Sequence, residues 1–216
     1  FKFLTKENKH HQSLARFFAR RGFAAFSIDY RQISDAPPAP EGYDNKKVRA
    51  AQYAAMMDAK AAVRWIRANS TTYGVDPDKV AAVGSSAGGS IAMGLALTDD
   101  RDFAVDSPHD PVFALNNPDQ PAKVQAAAAL WGNPSFYLDE VDANDAPLLF
   151  VHSTQDPNGD SPYAPVQRLY EALEAVGGTF EFYPLHLPGH THWDVEIDGL
   201  DIRNLILRFL LIQLGL

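Results

Sequence analysis

Read as a string of apolar and polar positions, the chain alternates helix-like and strand-like pieces. Residues 13–21 carry Leu14, Phe17 and Phe18 at helical spacing, and Gly22 follows as a stop. Residues 23–29, FAAFSID, are a short apolar run that reads as a buried strand. Prolines and a glycine within 33–43 mark a loop. The longest helical pattern covers 46–69, where Val48, Gln52, Ala55, Met56, Ala59, Val63 and Ile66 trace one face. Gly74 and Pro77 turn the chain within 73–78; a strand follows at 79–83 and a helix at 87–97. Further strands are expected at 125–130, 147–152 and 180–185. Helices are expected at 164–176, with Val166, Leu169, Tyr170 and Leu173 on one face, and at 200–214. Strands alternating with helices predict an α/β fold, a mostly parallel sheet with helices on both faces.

One stretch breaks the pattern. Residues 98–123 hold four prolines, Asn116-Asn117 and several aspartates, with no sustained period. That is long for a plain connector, so a lid or binding loop is expected there. Otherwise 1–216 reads as a single domain, since 216 residues with 46% hydrophobic content suffice for one sizeable core. A net charge of −8 without a basic block argues against nucleic acid or an anionic membrane as partner. The chain has no cysteine, which excludes disulfides, cysteine-ligated zinc and thiol catalysis. No apolar run reaches the ~18 residues of a membrane span.

The sharpest chemical feature is Gly84-Ser85-Ser86-Ala87-Gly88, a G-x-S-x-G run between a strand and a helix. A tight strand–turn–helix connection strains the central residue and presents the Ser86 hydroxyl beside the positive end of the following helix. Gly84 and Gly88, two positions before and after, would let neighbouring backbone approach. Ser85 lacks that flanking. A nucleophilic serine needs a base, and the base needs an orienting acid. Asp156 follows the apolar run PLLFVHS, and His190 and His192 follow FEFYPL. Each would lie at the C-terminal edge of the sheet, where open α/β folds bind ligands.

These stretches resemble the α/β-hydrolase superfamily, with its order Ser…Asp…His. More narrowly they resemble its esterase/lipase group, which includes hormone-sensitive-lipase-like carboxylesterases and acetyl-xylan or feruloyl esterases. The matching runs are RRGFAAFSIDYR, DAKAAVRWIRANSTTYGVDPDKVAAVGSSAGGSIA, PLLFVHSTQDP and the LPGHTHW region. The resemblance implies a serine carboxylic-ester hydrolase with an acyl-enzyme intermediate, no cofactor and no metal, acting on small or polymer-attached esters. Ser86 would be nucleophile, Asp156 the acid, and the Ala87 N–H one oxyanion donor. The family pattern P-G-x-x-H followed by an aromatic lands on His192 and Trp193, so His192 is expected as base, with His190 the alternative. The family's His-Gly-Gly-type loop, source of the second oxyanion donor, does not occur here, nor do its N-terminal strands. Because the chain begins at Phe1 rather than Met, both are expected in residues preceding it. Two other readings share these motifs: a serine peptidase or amidase of the prolyl-oligopeptidase type, and a catalytically silent hydrolase-fold binding protein.

Weaker signals complete the reading. Trp131, Trp193 and His190 are candidate substrate contacts, with core packing the alternative for the tryptophans. The spacing of His186, His190 and His192 is unlike a helical metal motif, because Pro188-Gly189 interrupts it. Asp58 reads as structural. The last helix carries Ile202, Leu205, Ile206, Phe209 and Leu210 on one face, with Leu207, Leu211 and Leu214 beyond it. That surplus exceeds one apolar stripe and is expected to meet a second copy of the chain or residues preceding Phe1.

Overall fold

The structure is a computed structural model describing residues 9–37, 47–103 and 117–216. The chain groups into two compact units, one of residues 78–98 and 124–216, the other of 1–77 and 99–123.

The first unit is built on four parallel strands, β1 (Ala81–Ser85), β2 (Ala126–Leu130), β3 (Leu148–Gln155) and β4 (Phe180–Pro188), hydrogen-bonded in that order. β2 reads AAAAL, and all five residues are fully buried. Such an unalternating apolar strand is what a parallel sheet covered on both faces requires. α4 (Ala87–Leu97) packs on β1 and β2, and a later helix, α6 (Ile202–Gln213), also packs on β2. α4 is apolar nearly all round and buried from Gly89 to Leu97, as expected of an interior helix. α5 (Tyr163–Val176) joins β3 to β4 and buries Val166, Leu169 and Leu173 against β3. Each such side chain contributes about 1.5–3 kcal/mol by burial. β4 is an edge strand, which is why Pro184 and Pro188 are tolerated within it.

Several elements differ from expectation. β1 is shifted two residues toward the turn, so that Ser85 pairs with Leu130. β4 continues three residues past 185, pairing Gln155 with Pro188 after a register shift near Ser153. A short antiparallel hairpin, β5 (Glu196–Ile197) and β6 (Leu200–Asp201), precedes α6 and was not anticipated. Its two turn residues, Asp198 and Gly199, have φ of 52° and 75°, the all-positive pattern of a type I′ turn. The Asp-Gly pair was its signal in the sequence. Asp201 then caps α6, accepting from the Asn204 N–H at 2.8 Å. Leu214 is buried with the expected apolar face of α6, whereas Ile212 is 62% exposed.

The second unit holds α1 (Lys9–Ala19), α2 (Lys47–Ala68) and α3 (Ser70–Tyr73). Residues 23–29 form no strand, contrary to expectation. Among the described residues of this unit no strand offers a ladder partner, and an isolated extended segment is not stable as a strand. The run is largely exposed, and Phe26 packs edge-on against Tyr73 at 5.3 Å. Asp58, on α2, grips Arg31, accepting from its backbone N–H at 2.7 Å and from its guanidinium at 2.8–3.0 Å. Half of the expected lid, residues 104–116, lies outside the described residues. Its two ends are tied together: Asp100 accepts from the N–H groups of Ala122 (2.6 Å) and Lys123 (2.9 Å). The Arg67 guanidinium donates to the carbonyls of Pro121 and Lys123, both at 2.7 Å. Lys60, almost fully buried, donates to the Asp99 carbonyl.

Candidate active site

Ser86 occupies the single residue between β1 and α4, with φ 53° and ψ −120°. A non-glycine residue there is strained, and the surroundings hold it in place. Its N–H donates to the Leu130 carbonyl at 2.8 Å, while its carbonyl accepts from the Ser90 N–H at 3.0 Å, starting the helix. The close approach depends on glycines, though not the pair expected. A Cβ at Gly84 would lie 2.1 Å from the Gly88 carbonyl oxygen, whereas one at Gly88 would meet nothing within 4 Å. The second indispensable position is Gly89, where a Cβ would lie 2.6 Å from the Leu130 oxygen. Motif spacing pointed to Gly88; the backbone of β2 makes it Gly89.

The strand ends converge on this turn. Ser86 Oγ lies 2.8 Å from His190 Nε2, and His190 Nδ1 lies 2.7 Å from Asp156 Oδ2. Asp156 can only accept when ionised, so His190 donates through Nδ1 and receives the Ser86 hydroxyl proton's hydrogen bond at Nε2. The Asp156 side chain is fully buried and His190 is 23% exposed. The other carboxylate oxygen accepts from the Asn158 N–H at 2.8 Å. The β3 end leading to Asp156 is bulged, with Ser153 Oγ filling the bulge: it donates to the Leu187 carbonyl and accepts from the Gln155 N–H at 3.1 Å. Ala87 is the first residue of α4, so its N–H has no acceptor within the helix.

The histidine expected next to the serine is corrected. His190, not His192, bridges Ser86 and Asp156. The cause is the length of β4: His186 and Leu187 extend the strand rather than the loop, so the first histidine after Pro188-Gly189 reaches the serine. His192 folds back, its Nε2 at 3.2 Å from the Gly189 carbonyl, and its ring meets Trp131 edge-on at 6.4 Å. His186 faces Thr154 instead, at 3.3 Å. The three histidines therefore take three different partners. Trp131 is fully buried at φ 55° and packs on Trp193 at 5.1 Å. Its indole N–H is one of two buried side-chain nitrogens without a hydrogen-bond partner among the described residues.

The other such nitrogen belongs to His152, which the sequence reading passed over as part of PLLFVHS. His152 is fully buried on β3, with Nε2 3.1 Å from the Ser161 carbonyl and 3.6 Å from Asp156 Oδ2. Burial pushes its pKa below the ordinary value. A polar residue at a buried position of an apolar strand was its signal.

Residues 3–136 match the model of the family described as BD-FAE. A protein named "Probable carboxylic ester hydrolase LipM", from Mycobacterium tuberculosis (strain ATCC 25618 / H37Rv), is 36% identical over 77 residues. That match covers 36% of this chain and 16% of LipM, so the chain spans under one fifth of that relative's length. Among solved structures, Thermogutta terrifontis esterase 2 phosphoramylated by tabun superposes with a TM-score of 0.69 at 21% identity, covering 94% of this chain and 76% of that one. A truncated carbohydrate esterase from gut microbiota gives a TM-score of 0.63 at 18% identity, covering 88% and 74%. At such identities these two likenesses establish the α/β-hydrolase fold.

Proposed function

The chain belongs to the BD-FAE family, and from that premise we propose that the protein is a serine carboxylic-ester hydrolase working through Ser86, His190 and Asp156. The observation that carries the reading is the unbroken relay from Ser86 Oγ through both His190 nitrogens to Asp156, at 2.8 and 2.7 Å, set on a strained turn. Ser86 Oγ attacks the ester carbonyl carbon as its proton passes to His190 Nε2. Asp156 holds the imidazole in the required tautomer and stabilises the imidazolium. The Ala87 N–H, at the positive end of α4, donates to the oxyanion. The tetrahedral intermediate collapses, the alkoxide leaves with the proton from His190, and an acyl-Ser86 ester remains. A water, deprotonated by His190, then attacks the acyl carbon and releases the acid with Ser86 restored. The chemistry of this step sequence suits small or polymer-attached esters.

Covalent labelling tests it. A fluorophosphonate should modify the protein at Ser86, and Ser86→Ala should lose both labelling and hydrolysis of p-nitrophenyl acetate. An adduct mapped to another residue, or hydrolysis surviving in Ser86→Ala, overturns the assignment.

A further inference from the structure

Asp156 is flanked by two histidines, of which only His190 faces the serine. The second, His152, sits four residues earlier, on the last buried stretch of β3. Its Nε2 looks at two oxygens, the Ser161 carbonyl at 3.1 Å and Asp156 Oδ2 at 3.6 Å. Neither oxygen can donate, so Nε2 must carry the hydrogen. We propose that His152 is a positioning residue for Asp156: as a neutral, Nε2-protonated imidazole it ties the end of the 156–161 loop to β3 and aims an N–H dipole at the carboxylate oxygen that receives His190. The proposal rests on the triad reading above.

The loop makes this role specific. Asp156 Oδ1 and Asn158 Oδ1 accept from the N–H groups of Asn158 (2.8 Å) and Asp160 (3.1 Å), and the Ser161 N–H returns to the Asn158 carbonyl at 2.9 Å. These bonds are internal and give the loop shape, not location. Location comes from outside: Ser161 Oγ donates to the Trp131 carbonyl (2.8 Å), Asn133 Nδ2 to the Asp160 carbonyl (2.8 Å), and His152 to the Ser161 carbonyl. Of these three, His152 alone also approaches the carboxylate. Charge state follows from burial. The ring is fully enclosed and Nδ1 has no partner among the described residues, so a second proton there would be both desolvated and unbonded. A neutral ring holds the loop by its hydrogen bond to the Ser161 carbonyl and turns its N–H dipole toward Asp156, without competing with His190 as a counter-cation.

Two variants and one spectrum decide it. His152→Leu removes the N–H, and His152→Gln replaces it with an amide N–H at similar reach. Leu should lower kcat on p-nitrophenyl acetate about 10–100-fold with KM changed less than about threefold, since displaced catalytic groups cost turnover rather than binding. Gln should restore most of kcat; a Gln variant as impaired as Leu, or a Leu variant with unaltered kcat, overturns the role. If Leu fails to fold, nitrogen-15 spectra of the wild-type histidines still decide: Nε2 protonated and Nδ1 bare at neutral pH is expected, and a protonated Nδ1 overturns the proposal. Fluorophosphonate labelling of the wild type separates the two levels. If Ser86 does not label, the triad reading falls and this proposal with it; if Ser86 labels while Gln fails to rescue, only the role of His152 falls.

Discussion

Ser86 and Asp156 were legible in the sequence because local chain geometry dictates them: a glycine-flanked turn between strand and helix, and an acid just beyond an apolar strand. The histidine was not, because its identity depends on where a neighbouring strand stops. β4 runs on through His186, Leu187 and Pro188. Its edge position leaves the prolines harmless, so nothing in the local sequence announces the end. Counting from Pro188-Gly189 by family pattern therefore overshot by two residues. Under the proposed mechanism the two histidines differ sharply in consequence. His190→Ala should reduce kcat about 10⁶-fold, the scale seen when the histidine of a triad is lost. His192→Ala removes only the contact to the Gly189 carbonyl and packing on Trp131, and should cost less than about tenfold, an effect of loop placement. Steady-state hydrolysis by the two variants measures this directly, and equal losses would return His192 to the reaction.

At the level of elements, the helices and parallel strands around the turn were readable from period where one face is buried, as in α5, and from apolar composition where burial is all round, as in β2 and α4. The elements that escaped are those fixed by a partner. Residues 23–29 have the apolar content of a strand but no ladder partner among the described residues of their unit. The Asp198-Gly199 hairpin is too short to show a period. The turn's own packing also escaped, since motif spacing does not say which glycine another strand's backbone will touch. Gly84→Ala drives a Cβ into the Gly88 carbonyl and Gly89→Ala drives one into that of Leu130. Both are backbone collisions that no rotamer relieves, so each should destabilise the protein by at least the ~1–3 kcal/mol typical of overpacking. Gly88→Ala meets nothing within 4 Å and replaces glycine by a better helix former. Urea denaturation should find Gly88→Ala as stable as the parent or slightly more so, and a Gly88 variant as damaged as Gly84→Ala would contradict the packing.

For the molecule as a whole, composition set the class and the net charge of −8 set the broad electrostatics, yet neither reveals where a buried charge weighs on stability. One such place is Lys60. Lys60 lies on the long helix α2, where its side chain is enclosed and donates to the Asp99 carbonyl. Burial pushes its pKa from 10.5 down to about 8, against the opposing pull of Asp102, Asp100 and Asp99. The sign of the linkage follows. Between about 8 and 10.5 the folded protein has released this proton while the unfolded chain still binds it, so the unfolded state holds more protons and the Lys60 contribution to stability rises with pH. Below about 8 both states are protonated, and the cost of the buried cation is constant and largest. Lys60→Met keeps the length of the side chain and removes the titration. In urea unfolding at a series of pH values, the stability of the parent relative to Lys60→Met should stay level up to about pH 8 and climb in favour of the parent from there to about 10.5. A difference that is flat across that window, or that falls, would mean that Lys60 reaches water in the folded protein.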